Sequence, residues 1–274
     1  MRIVTLMENT SVQPDLASSH GLSFYIETKN HKILFDMGPD GAFLDNAQKL
    51  GVDISKVDLA ILSHGHYDHG GGLAAFLEAN ATAPVHMQRK AFGEFYAHDS
   101  DGVNRYIGLP QEIKDHPRIV YHSGDYKLDA GIQVFAGVTG RECYSPANDV
   151  LFVSMNGRHI QDLFMHEQNL LIKEGDKMVL VAGCAHNGIV NILTRADSFA
   201  PGGIDYVISG MHLMHAYEEK EKQKMLCKNM ADRLRQRSSR YYTCHCTSVE
   251  AYEMLHEEMG PQIEYVSAGS ILDI

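Results

Sequence analysis

Residues 59–73 read LAILSHGHYDHGGGL. A strand-length apolar run gives way to a loop in which His64, His66, Asp68 and His69 stand within six residues. In an extended loop alternate positions point the same way, so His64 and His66 can grip one cation from one side. Asp68 and His69 then turn the other way and can hold a second. Neutral imidazole and carboxylate suit zinc and related first-row metals. Gly65, Gly70, Gly71 and Gly72 are read here as permitting tight turns close to an ion. Three histidines and an aspartate in one glycine-rich loop exceed what an ordinary surface loop needs, and the stretch reads as metal-binding.

Outward from this loop, short apolar runs alternate with helical patterns, which predicts mixed α/β structure. Strands are expected at 1–6, 22–28 and 31–35 before the loop, the last two joined by a hairpin-like break at Lys29-Asn30. Helices are expected at 40–51 and 72–79. Beyond it, strands are expected at 132–136, 150–154, 169–173, 178–182 and 204–208. A helix is expected at about 188–196, and a long polar one at about 217–237 with an apolar stripe of Leu226, Met230 and Leu234. The less regular stretch 88–125 carries Phe92, Phe95, Tyr96, Tyr106 and Tyr121 with Arg89, Lys90 and Arg105. It reads either as an insertion over the site or as an ordinary helix and loop packing its aromatics inward. No composition shift marks a linker, so 1–274 is expected to be a single domain.

The 274 residues carry 24 Lys plus Arg against 35 Asp plus Glu, a formal charge of −11. That balance argues against a nucleic-acid binder, which needs clustered positive charge. The longest apolar runs, such as VDLAIL at 57–62, fall far short of the roughly 18 residues of a membrane span. No leader-like segment opens the chain, and five Cys without framework spacing fit a reducing compartment, so a cytoplasmic protein is expected. The 16 His are out of proportion.

H-x-H-x-D-H after an apolar strand resembles the signature of the metallo-β-lactamase superfamily. Leu34-Phe35-Asp36-Met37-Gly38 resembles its early turn, whose Asp supports the metal loop from behind. Gly183-Cys184-Ala185-His186 sits where the family supplies later ligands, and Thr243-Cys244-His245-Cys246-Thr247 resembles the segment giving the last His. GLSFYIET, EQNLLI, AGCAHNGIVNI and SGMHL narrow the likeness. They are similar to a subgroup of metal-dependent hydrolases that includes proteins named 7,8-dihydropterin-6-methyl-4-(β-D-ribofuranosyl)aminobenzene-5'-phosphate synthase.

The resemblance implies a four-layer αβ/βα sandwich with two central mixed sheets and two divalent metal ions at the strand-end edge. Zinc is the default, and manganese or iron suits the same donors. One ion would be held by His64, His66 and His186, the other by Asp68, His69 and His245. Asp68 would also orient a metal-bound hydroxide or carry its proton. One departure stands out: relatives place a bridging Asp where this chain reads Gly183-Cys184. Either the Cys184 thiolate takes part, or His186 replaces the missing ligand. His159 and His166 fit that role less well and read as surface histidines, while His20, His31, His86, His98, His116, His122, His215 and His256 read as surface or ordinary polar residues. His212 is expected near the site, as a polar contact to substrate. The expected activity is hydrolysis of a small, anionic ester, phosphoester or lactone. Synthesis of a pterin-precursor phosphate on the same centre, or ligand binding without turnover, are the alternatives.

Overall fold

The computed structural model describes residues 1–98 and 102–274; residues 99–101, within the expected insertion at 88–125, lie outside the described residues. The chain forms two compact units. The first comprises Met1–Ser123, Phe152–Ile160 and Ser267–Ile274, the second Gly124–Leu151 and Gln161–Val266. Each is built on a seven-stranded mixed sheet, so both central sheets expected from the sequence are present.

In the first unit the sheet runs Ile271–Asp273, Arg2–Met7, Ser23–Glu27, Lys32–Phe35, Leu59–Ile61, Val85–Gln88 and Ile119–His122. Its first four strands pair antiparallel, and pairing from Lys32–Phe35 onward is parallel. Parallel neighbours need a crossover. The helices Ala42–Lys49 and Leu73–Ala79 lie in two of these crossovers and bury Phe43, Ala47, Leu73 and Phe76 with Leu34, Ala60 and Val85 of the sheet. The Lys29-Asn30 break is a tight turn closed by Thr28, whose hydroxyl accepts from the backbone N–H of Asn30 and of His31. The consequence for function is positional. Asp36 and Ser63–His64 leave the sheet at neighbouring C-terminal strand ends, the usual place for ligand-binding loops in parallel sheets.

The stretch 88–125 does several things. Ile119–His122 is the last strand of the main sheet, while Phe95–His98 and Asn104–Tyr106 belong to a four-stranded sheet with Leu151–Met155 and Arg158–Gln161. Phe92 and Phe95 pack inward, whereas Tyr106 is exposed.

The second unit's sheet runs Ile263–Tyr265, Arg240–Thr243, Tyr206–Ser209, Lys177–Val181, Gln168–Glu174, Ile132–Ala136 and Tyr126–Lys127. The first four strands are parallel, the others antiparallel. Its core joins Phe135, Leu180, Val207 and Tyr241 of the sheet to Ile189, Ile192 and Leu193 of the helix Ile189–Ala196. The long helix, Lys220–Leu234, buries a wider face than the expected stripe: Cys227 and Ala231 join Met230 and Leu234, and Leu226 is only partly covered. The small side chains let that helix sit close, which a search for large apolar residues misses. A third helix, Val249–Met259, is capped by Ser248, whose Oγ accepts from the Ala251 N–H. No helix among the described residues is long and apolar enough to cross a membrane, and none of the five cysteines forms a disulfide.

Candidate metal centre

The metal-loop residues of the first unit are assembled around one carboxylate. Asp36 follows the strand Lys32–Phe35 with a left-handed backbone, φ 59°, a conformation that Asp tolerates better than most residues. Completely buried, it accepts from the Ser63 backbone N–H at 2.7 Å and the Ser63 hydroxyl at 2.7 Å, and pairs with Nδ1 of His69 at 2.6 Å. Ser63 Oγ also meets Nδ1 of His64 at 2.8 Å. Both histidines therefore have Nδ1 engaged behind the loop, which fixes their rings and leaves Nε2 as the nitrogen able to ligate a metal. The ring of His64 lies 4.1 Å from that of His69 and 4.6 Å from that of His66, centre to centre.

Asp68 belongs to the same assembly, on a single helical turn, Tyr67–Gly70. Its Oδ2 is 3.6 Å from Nε2 of His69. With bonds of about 2.0–2.2 Å, two donors on one tetrahedral zinc lie about 3.4 Å apart, so this donor pair fits a first-row ion. The loop's glycines serve contact rather than φ. A Cβ on Gly65 would sit 2.0 Å from Ala91 O, and one on Gly72 2.2 Å from Met37 O. Neither has a positive φ. The segment after Val85–Gln88 packs on the same loop: Tyr67 N–H donates to Ile107 O at 2.9 Å, and Phe95 meets the His66 ring edge-on at 5.6 Å.

In the second unit three strand exits carry the remaining expected residues. Each contains a non-glycine residue in the left-handed region: Ala185 at φ 55°, His212 at 49° and His245 at 52°. Such residues cost about 1–3 kcal/mol each and persist where the surroundings over-determine them. His186 is the best braced. Its Nδ1 meets Asn148 Oδ1 at 2.9 Å, Asn148 Nδ2 donates to its carbonyl at 2.9 Å, and Phe164 stacks on it at 4.3 Å. Its backbone N–H donates to Glu167 Oε1 at 2.6 Å. Glu167 also accepts from Asn187 Nδ2 at 2.7 Å; burial pushes its carboxyl above the ordinary carboxylate range, against these hydrogen bonds. None of Asn148, Phe164 and Glu167 stood out as a site residue in the sequence, although Glu167, a carboxylate just before a buried strand, carried a usable signal.

Cys184, His212 and Cys246 place their donor atoms within 4.8 Å of one another. Both ring nitrogens of His212 are buried without a hydrogen-bond partner, an arrangement that a bound ion or a ligand would satisfy. Its ring lies 4.2 Å from that of His186, so the structure does gather His212, Cys184 and His186. Gly210 makes room, since a Cβ there would sit 2.5 Å from the Cys246 sulfur. Burial pushes the Cys246 thiol up, but Cys184 and His212 beside it carry it well below its ordinary value. His245 is completely buried at the start of the turn that follows Arg240–Thr243.

One expected surface histidine is inside. His166 is buried, its Nε2 3.0 Å from Asp162; a companion carboxylate four residues earlier pays its desolvation. His86, expected at the surface or in an ordinary polar role, is buried within the strand Val85–Gln88 against His122, and burial together with that neighbour pulls its pKa down to about 4.

A family model described as the metallo-β-lactamase superfamily matches residues 19–141. An uncharacterized protein of Methanocaldococcus jannaschii is 31% identical over 217 residues, covering 77% of this chain and 79% of its own. From the same organism, a protein named 7,8-dihydropterin-6-methyl-4-(β-D-ribofuranosyl)-aminobenzene-5'-phosphate synthase is 28% identical over 294 aligned positions, covering 99% of this chain and 96% of its own. A crystal structure described as a metal-dependent hydrolase of the β-lactamase superfamily superposes with a TM-score of 0.78 at 26% identity, over 100% of this chain and 99% of that one. The chain belongs to the metallo-β-lactamase superfamily.

Proposed function

We propose that the protein is a metal-dependent hydrolase acting on a small anionic ester, phosphoester or lactone. The observation that carries this reading is the Asp36–Ser63 brace, which fixes His64 and His69 by their Nδ1 atoms and reserves Nε2 for a metal. His64, His66 and His186 are assigned to one ion, and Asp68, His69 and His245 to a second. Zinc is the expected metal, since the donors are imidazole and carboxylate. His186 rather than Cys184 is assigned as ligand because Asn148 and Phe164 lock its ring in the manner of a metal-bound histidine.

Bound there, divalent ions would supply Lewis acidity and an activated water at neutral pH. Asp68 would orient that water and accept its proton. The Tyr67 hydroxyl, within reach of Arg105, borders the same loop, and Arg105 takes the substrate's phosphate or carboxylate through its planar fork. Arg89 lies over the Tyr121 ring at 5.7 Å and offers a second cation. The test is a screen of aryl phosphodiesters, lactones and pterin phosphates with added zinc or manganese. Turnover of an anionic substrate whose KM rises about tenfold or more in Arg105→Ala, the effect of losing one charge-assisted contact, supports the reading. Preference for an uncharged lactone, unaffected by Arg89→Ala and Arg105→Ala, contradicts its anionic part.

A second reading is favoured by one comparison. The relative named as a pterin-precursor phosphate synthase matches over nearly the full length of both chains, so formation of a pterin-linked phosphate on the same donors is the alternative activity.

A further inference from the structure

Three consecutive residues outside the metal loop close on Asp68. The backbone N–H of Leu22 donates to Asp68 O at 3.1 Å. Gly21 lies so near that a Cβ would stand 2.6 Å from the same oxygen and 2.5 Å from Pro39 Cδ. His20 then brings its Nε2 to 3.3 Å from Asp68 Oδ2. Behind them, Asn9 holds both ends of the grip: its Oδ1 accepts from the Gly21 N–H at 3.4 Å, and its Nδ2 meets His20 Nδ1 at 3.4 Å. An amide NH₂ can only donate, so Nδ1 of His20 is the acceptor and the ring proton sits on Nε2, pointed at the carboxylate.

We propose that His20, set in its tautomer by Asn9, is a positioning residue that holds the Asp68 carboxylate in the orientation its metal requires. The inference rests on the assignment of Asp68 as a ligand made above. An exposed ion pair alone is worth little, about 0–1 kcal/mol, and His20 is 48% exposed in its side chain. Its value here is directional. One oxygen of Asp68 is 3.3 Å from His20 and 3.6 Å from His69 Nε2, so the hydrogen bond from outside fixes which lone pairs face the ion. Hydrogen bonds of this kind to a ligating carboxylate set metal affinity by about 10–100-fold. The sequence offers no hint of this, since His20 is one of several histidines among polar neighbours and its partner lies far along the chain.

The experiment is a cobalt(II) titration of the full chain after chelation, followed by the visible absorption of the bound ion, in wild type, His20→Ala, His20→Gln, Asp68→Asn and Asp68→Asn with His20→Ala. Thermal unfolding of the metal-free proteins should be nearly the same for wild type and His20→Ala, because His20 lies at the surface. The proposal expects His20→Ala to bind one ion about 10–100-fold more weakly with an altered spectrum. His20→Gln, which keeps an N–H donor, should recover most of the affinity. The His20→Ala change should add nothing in the Asp68→Asn background. Wild-type affinity and spectrum in His20→Ala overturn the proposal, as does a further loss in the double variant. Wild type that binds no cobalt overturns the ligand assignment and the proposal together, whereas normal wild-type binding with an unaltered His20→Ala removes the proposal alone.

Discussion

Asp36 bonds to three groups at once: the Ser63 N–H, the Ser63 hydroxyl and His69 Nδ1. Replacing it by Asn keeps a residue tolerant of the left-handed backbone but offers one acceptor where three donors converge. Asp36→Asn is therefore expected to fold and to lose about 10–100-fold in metal affinity, the usual effect of removing a partner of a ligating histidine. Competition with a chromophoric chelator measures this, and wild-type affinity in the variant would remove Asp36 from its supporting role. The sequence made Asp36 legible because L-x-D-x-G directly follows a strand, so motif and position coincide. Asn148 and the Asn9–His20 grip were not legible, because each acts on a residue distant in the chain and no spacing encodes such a contact. His166 was misjudged for a related reason: a buried histidine is recognised by its partner, here Asp162.

At the scale of elements, the H-x-H loop is seated between neighbours that approach its backbone closely. Gly65 faces Ala91 O and the Phe95 ring, which an added Cβ would meet at 2.0 and 2.8 Å. Since one contact is backbone and the other a buried ring, neither gives way cheaply. Gly65→Ala is expected to cost about 1–3 kcal/mol in urea unfolding, the range for overpacking, and to lower metal content by displacing His64 and His66. A variant as stable and as fully loaded as wild type would show that the loop is not seated as described. The glycine pattern was legible as a sign of a tight loop, but its use is close approach and not the turn geometry the sequence suggested. Strands and helices with strong periodicity fell close to expectation; Arg2–Met7 and Ile189–Ala196 are examples. The long helix differed in its buried face because Cys227 and Ala231 contribute closeness rather than bulk.

For the whole molecule, the expected donors divide between the two units: His64, His66, Asp68 and His69 on the first, His186 and His245 on the second. The division itself was not legible. The first unit is assembled from three separate stretches of chain, including the terminal Ser267–Ile274, and no change in composition marks where the chain passes from one to the other. Metal counting tests the account at this scale. Elemental analysis of purified wild type, His66→Ala and His186→Ala, each checked for folding, should give up to two first-row ions per chain in wild type and about one fewer in each variant, because each histidine is assigned as a ligand. Full wild-type metal content in either folded variant would contradict the assignment of that histidine as a ligand.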